Sequence, residues 1–358
     1  MELPGEKLVM RMWETLAEKG VGLLLKPWQD KREGKANLEL RRAEMLVLAQ
    51  AERDAEQIRS GEKRVDNFTI AEPFAALALT RDKLADRIEP IINLPVVLNY
   101  VARQSVEDAV RRQINLAKTI VQAEESLVEE TQPPPEEKID GDWLYRWRDF
   151  ASEVSSEEMQ QLWGRLLAGE IKAPGTYSLR CLDFLRCLSQ EEAKSIARFS
   201  RFAIEDRVIT DVHRGGFDLG HGKLLDAMGV TLALLRELQD LGVVSGVDLG
   251  GFVRTYSSIE KGKFVIVLKS FGKALIVRHD DEAKSLKLQS YPFTTLGKQI
   301  LGLGRFEAPF DYLVSLGKEL LKDGFDVELA DFIKKDEQTI TTSNEVRITE
   351  DSVVEKET

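Results

Sequence analysis

Apolar residues near the start of the chain recur at helical spacing. Leu8, Met12, Leu16 and Leu23 fall beside Trp13 with charged residues between them, a pattern that predicts an amphipathic helix over residues 6–25. It ends near Gly20–Gly22, and Lys26-Pro27-Trp28 breaks the pattern beyond it. Residues 35–64 hold neither Gly nor Pro before Gly61 and are rich in Ala, Glu, Arg and Leu, which predicts a long helix. Its apolar positions (Leu38, Met45, Leu48, Ala49) are too few for a heptad seam. Pro73, Pro90 and Pro95 then punctuate shorter pieces, and residues 97–128 restore a long helical stripe through Val106, Val110, Ile114, Ala117 and Val121.

Three consecutive prolines come next. Residues 129–142 carry six acids (Glu129, Glu130, Glu136, Glu137, Asp140, Asp142) against one lysine, so 131–141 is expected to be an extended acidic linker. Beyond it, Trp143, Leu144, Trp147, Phe150 and Ala151 share one helical face. Ser155-x-x-Glu158 has the form of a capping box for a helix whose stripe is Met159, Leu162, Trp163, Leu166 and Leu167. Ala173-Pro-Gly175 turns the chain, Ser178 caps a third helix, and Ser189-x-x-Glu192 is a second capping box. Residues 142–205 are thus expected as one compact four-helix bundle, with Trp143, Trp147, Met159, Trp163 and Leu166 as its core.

The pattern changes over residues 206–335. Thr231 caps a helix with the stripe Leu232, Leu235 and Leu238, followed by Leu-Gly-Val-Val. Phe252–Ile259 and Lys263–Leu268 read as strands joined at Lys261–Gly262, Lys273–Val277 and Leu286–Leu288 as a further pair, and Phe293–Leu301 as a capped helix. That order is the order of a winged-helix module. From Asp336 the chain has seven acids against Arg347 and Lys356, and 336–358 is expected to be disordered. The expected fold is therefore mainly α with a smaller α+β part: long N-terminal helices over 1–130, a central bundle, and a C-terminal winged-helix-like module.

Charge and composition narrow the function classes. A formal net charge of −11 does not steer the whole molecule toward phosphate backbones or anionic lipid. No apolar run approaches the ~18 residues of a spanning helix, and the acidic N-terminus does not read as a secretion signal. Cys181 and Cys187 lie six apart on one expected helix, about 240° apart around its axis, so they share no metal and form no disulfide framework. A reduced cytoplasmic setting is the expectation.

Candidate chemistry is sparse. His213 and His221 lie in a glycine-rich stretch with Asp211 and Asp218, yet the spacing matches no standard ligand pattern, and a polar loop explains it without metal. The glycines at 215, 216, 220 and 222 form no phosphate-cradling motif. Glu170, Asp142 and Asp149 could pair as acid and base, although carboxylates at helix ends more often cap or face solvent. No catalytic, cofactor or metal residues are assigned. As a winged helix, residues 231–241 would present Thr231, Arg236, Glu237, Gln239 and Asp240 outward, with Lys261, Lys263, Lys269 and Lys273 as a basic wing. Two of the five outward residues are acidic, which disfavours nucleic acid and favours a protein-contact surface.

Several segments resemble a known bacterial family. KPWQDKR (26–32), RRQINLAKTI (111–120), DGDWLYRW (140–147), MQQLWGRLLAGEIKAPGTYSLRCLDFLRCLSQEEA (159–193) and FTTLGKQIL (293–301) resemble the family known as domain of unknown function 2806. That resemblance supplies no catalytic residues. The middle segment is also similar in plan to the abortive-infection alpha proteins, which implies bacteriophage defence or stress response. The expectation is a non-enzymatic interaction protein that assembles with itself through its N-terminal helices, with the 140–193 bundle as a hub and the winged-helix-like module as the surface for another protein. A DNA-binding regulator is the second reading. A membrane-surface effector acting through residues 6–28 is the third.

Overall fold

The computed structural model describes residues 5–21, 94–215, 222–334 and 340–351. The expected helix over 35–64, the pieces around Pro73 and Pro90, residues 22–28, and the pair Asp218 and His221 lie outside them. The chain divides into two compact units, Met1–Tyr177 and Ser178–Thr358. Within the described residues it is a mixed α and β protein.

The first unit is helical: α1 (Glu6–Glu18), α2 (Leu94–Leu127), α3 (Gly141–Glu153) and α4 (Glu157–Lys172). α4 and α3 pack along α2, and α1 lies on α2 and α4. The α2–α4 crossing is close at Gly164, where a Cβ would stand 2.7 Å from Gln122 Cβ and 2.8 Å from the Ala123 nitrogen. Leu8, Met12 and Leu16 from α1, Ile120 and Leu127 from α2, Trp147 from α3, and Leu166 and Leu167 from α4 form the core. Each such side chain contributes roughly 1.5–3 kcal/mol of burial. Three buried polar groups within it are partnered: Trp147 Nε1 donates to the Trp163 carbonyl (2.9 Å), Trp13 Nε1 to Glu124 (3.2 Å), and Asn115 to the Ser152 carbonyl (3.0 Å). The indole nitrogens of Trp143 and Trp163 are buried without a hydrogen-bond partner among the described residues.

Three sequence expectations change here. The Pro-rich stretch is not a boundary between units but part of the first. Lys172 pairs with Glu130 at 2.7 Å and Lys138 with Glu18 at 3.0 Å, while Ile139 is buried, so the stretch is tied to the bundle along its length. The unit boundary falls instead at Tyr177–Ser178, inside the expected four-helix bundle. α3 and α4 use α2 and α1 as partners, because Trp143, Trp147 and Trp163 find their apolar cover there. The Ser155–Glu158 capping box is absent: α4 starts after Ser156, whose side chain makes no capping bond. Gln160 instead donates to the Val154 carbonyl at 3.0 Å.

The second unit opens with α5 (Leu179–Cys187), capped by Ser178, and α6 (Gln190–Ser200), whose Ser189–Glu192 capping box is complete. Then come β1 (Ala203–Ile204), β2 (Arg207–Val212), α7 (Lys223–Ala227), α8 (Leu232–Asp240), β3 (Phe252–Tyr256), β4 (Phe264–Ser270), β5 (Lys273–His279) and β6 (Leu286–Pro292). α9 (Thr295–Leu303), α10 (Phe310–Leu321), β7 (Asp326–Lys334) and β8 (Ile340–Arg347) complete it. The strands make two antiparallel sheets, β1-β2-β6-β3 and β4-β5-β7-β8. α8 packs on α6, α9 on α5, and α10 on β2 and β7.

The hairpin expected between 252–259 and 263–268 does not form. β3 pairs with β6, whereas β4 pairs with β5, so the two halves of the expected wing belong to different sheets. The physical reason is burial, since β4 is almost wholly covered while β3 is exposed, and the turn after β4 accommodates that pairing. Phe271 (φ 39°) and Gly272 (φ 82°) link Ser270 to its partner Lys273, a two-residue loop with positive φ at both positions that matches strand twist. Phe271 also stacks on Phe306, centroids 5.3 Å apart. The expected pairing of 273–277 with 286–288 is likewise replaced, since β5 joins β4 and β7 while β6 joins β2 and β3.

The expected disordered tail is corrected too. Ile340–Arg347 pairs with β7, and Ile348, just beyond it, is buried against α10 at Gly317, whose Cβ would come within 2.4 Å of Ile348 Cδ1. The acids of this segment mask an alternation of Ile, Thr and Val that suits a strand.

Candidate functional site

The residues expected to contact nucleic acid have other work. The Thr231 side chain accepts from the Leu234 nitrogen at the start of α8. Gln239 accepts from the Val247 nitrogen (2.7 Å) and donates to Asp248 (2.7 Å), which fixes the short 3₁₀ turn at Val247–Leu249. Arg236 is exposed. Lys263 pairs with Glu260 at 3.1 Å, and Lys273 with Asp331 at 2.5 Å across β5–β7. Lys261 lies on the exposed loop before β4, whereas Lys269 is half-buried within that strand. Thr231, Arg236 and Gln239 thus stay on α8, whereas the four lysines fall on the loop before β4, within β4 and at the start of β5 instead of gathering on a wing.

The carboxylates considered for acid–base chemistry separate as well. Glu170 is buried near the end of α4 and accepts from the Gly175 nitrogen (2.6 Å) and the Tyr177 nitrogen (3.0 Å). It therefore organises the Pro-Gly turn. Burial pushes its carboxyl above the usual range, with the backbone donors pulling the other way. Asp142 lies in the first turn of α3, and Asp149, exposed, pairs with Arg148 at 2.6 Å. Among the described residues no three His, Cys, Asp or Glu side chains come together as a metal site. Asp211 accepts from the adjacent Val212 nitrogen. Cys181 is buried and its thiol is pushed up to about 12 by desolvation, whereas Cys187 is exposed.

Trp147 and Trp163 are fully buried, Trp143 and Leu166 are buried, and Met159 is half-buried at the edge of the stripe. Phe150 meets Trp163 edge-on at 5.9 Å between centroids. These side chains build the core of the first unit.

The surface that stands out is the first part of α2. From Tyr100 to Gln113 every residue is exposed, and burial begins only at Ile114. Helical spacing sets Ala102, Val106, Ala109 and Val110 within one arc of about 100°. Val106 is 64% exposed and Val110 53%. The polar positions carry both signs: Arg103, Glu107, Asp108, Arg111 and Arg112. Arg111 pairs with Asp108 at 2.9 Å, and Arg112 reaches Glu153 of α3 at 3.6 Å. An apolar stripe on a helix ordinarily marks the face that meets a partner, and this stripe has no cover among the described residues. The sequence periodicity of 97–128 marks these positions; what it does not reveal is that the bundle covers only the later half.

The fold and this surface define a helical bundle with a segment of helix exposed among the described residues, followed in the chain by a two-sheet α and β unit. Residues 100–316 match the DUF2806 family of proteins of unknown function, and the chain belongs to that family. No curated protein and no solved structure matches it.

Proposed function

We propose that the chain is a non-enzymatic assembly protein that associates with a second copy of itself through the exposed part of α2, in the bacteriophage-defence or stress-response setting implied by the plan of its middle segment. The observation that carries this reading is the Val106–Val110 stripe, which has no cover among the described residues and is flanked by charges of both signs. A partner of one strong charge would favour a patch of one sign, whereas alternating Arg103, Glu107, Asp108, Arg111 and Arg112 complement an antiparallel copy of themselves. The membrane-surface alternative has less support, because the apolar face of α1 (Leu8, Met12, Leu16) is already inside the bundle. The regulator alternative has less as well, given the dispersed lysines.

Light scattering on the full chain tests the reading. The wild type is expected to be a dimer or larger at micromolar concentration. V106D/V110D should run as a monomer with unchanged far-ultraviolet circular dichroism, since both side chains are exposed within the copy. A wild-type monomer at high concentration, or an assembled double variant, would refute it.

A further inference from the structure

A second surface lies in the Ser178–Thr358 unit, where β2 ends, β6 begins and the turn between α10 and β7 closes over them. These segments border an open cleft of about 500 Å³ lined by residues that include His213, Arg214, Lys284, Lys287, Asp323 and Phe325. Its geometry derives from the sheet. Val212 stands opposite Leu288 in the β2–β6 register, and the His213 nitrogen donates to the Lys287 carbonyl at 2.9 Å. His213 and Lys287 are therefore cross-strand neighbours on one face.

The charges in the cleft are unequal in how they are used. Arg214 is held by Asp323 (2.8 Å), by Glu319 (3.1 Å) and by the Glu319 carbonyl (2.8 Å), and Lys322 adds a second cation to Glu319 at 2.5 Å. The acidic wall is thereby neutralised from within the protein. In the turn before β6, Asp281 accepts from the Ala283 nitrogen and Glu282 from the Gly262 nitrogen. Lys284 and Lys287 have no carboxylate within ion-pair reach among the described residues. Lys284 is laid over the Phe325 ring, 5.4 Å from its centroid, a contact that positions an ammonium without discharging it. His279 meets the same ring edge-on, with 5.7 Å between centroids. In a chain of net charge −11, two uncompensated ammonium groups and an imidazole converging on one cleft mark a local reversal of sign.

We infer that this cleft is a binding site for a small phosphate-bearing anion, held by the ammonium groups of Lys284 and Lys287 with His213 as a further donor. The volume fits a small ligand and not a folded partner. In the Arg214–Glu319–Asp323 cluster both carboxylates are paired with Arg214, which lowers their repulsion of the ligand. The site is separate from the exposed part of α2 and does not rest on the assembly reading.

Calorimetric titration of the full chain with inorganic pyrophosphate at low ionic strength tests it, with the ion-pair mutant K194Q on α6 as a control. Saturable binding is expected for wild type and K194Q, weakening as salt is raised. It should fall at least tenfold in K284Q/K287Q and measurably in K287Q alone. All variants should keep the wild-type melting temperature without ligand, because neither lysine is buried. No heat with pyrophosphate, or equal binding by wild type and K284Q/K287Q, overturns the inference. Binding of a single-stranded oligonucleotide without binding of pyrophosphate overturns it in favour of a nucleic-acid surface. Light scattering on the same samples keeps this outcome distinct from any failure of assembly.

Discussion

Tyr312 is wholly buried, and its hydroxyl both accepts from the Ile209 nitrogen (3.0 Å) and donates to the Ile209 carbonyl (2.8 Å). Those two groups sit where the β2–β6 register slips past Thr210, so a side chain of α10 supplies what the bulge takes from the sheet. Replacing the phenol by Phe strands a buried donor and a buried acceptor. Y312F should cost about 1–3 kcal/mol in urea denaturation with no change in secondary structure by circular dichroism. Glu170 performs a similar service for the turn at Gly175–Tyr177. A glutamine there offers one acceptor for two backbone donors, and E170Q should also cost about 1–3 kcal/mol. The pH dependence has a defined sign. Because the folded carboxyl is raised, the native state binds the proton more tightly than the unfolded chain does. That stabilisation is fully present in acid and is lost as pH rises through the raised range. The advantage of wild type over E170Q should therefore shrink with rising pH, measured as urea midpoints at a series of pH values. An advantage that grew instead would reverse the assignment.

At the level of elements, close approach decides more than propensity. A glycine in mid-helix is ordinarily worse than alanine by about 1 kcal/mol, yet Gly164 lies where α4 meets α2 too closely for a methyl group. G164A is expected to lower stability by about 1–3 kcal/mol through overpacking, the opposite of its effect on an isolated helix; thermal melting reads the sign. The same logic explains which elements were legible. The helices over Glu6–Glu18 and Leu94–Leu127 announce themselves by stripe, and those over Leu179–Cys187 and Gln190–Ser200 by stripe and cap. The strands announce themselves by composition, but their partners do not. Lys261–Gly262 and Phe271–Gly272 both contain a glycine at φ 82°, and nothing local says which one closes a hairpin. The choice falls to burial, since Phe264–Leu268 must be covered while Phe252 and Val253 remain exposed at the sheet edge. The tail was hidden for another reason: Ile348 has its partner on α10, some thirty residues earlier in the chain, and composition carries no trace of that contact.

For the whole molecule, the sequence marks a change of character but misplaces it. The Pro-rich stretch looks like a divider and is bound into the bundle, whereas the actual division, after Tyr177, sits at the start of a helix with an ordinary serine cap. The candidate surfaces differ likewise in visibility. The Val106–Val110 stripe is in the periodicity, and only packing reveals it as uncovered. The cleft at Lys284 and Lys287 has no linear signature, because His213 reaches it from the end of a strand that precedes those lysines by about seventy residues. It exists only once β2 and β6 are neighbours. Assembly through α2 makes apparent stability depend on concentration, so the melting temperature of wild type should rise with protein concentration while that of V106D/V110D stays level.

The division after Tyr177 has an optical corollary. All five tryptophans (Trp13, Trp28, Trp143, Trp147 and Trp163) precede it, so the indole emission of this protein reports on one unit and is silent about the other. Substitutions can then be sorted by probe. W163A, at a cost of about 3–5 kcal/mol, should shift the fluorescence-detected transition. I348A, at about 2–5 kcal/mol, should shift the far-ultraviolet dichroism of the strands while the emission midpoint stays in place. Coincident shifts by both probes would mean that the units unfold as one. The cleft, lying in the half without an indole, is left free for a single tryptophan to be introduced as a reporter of its own.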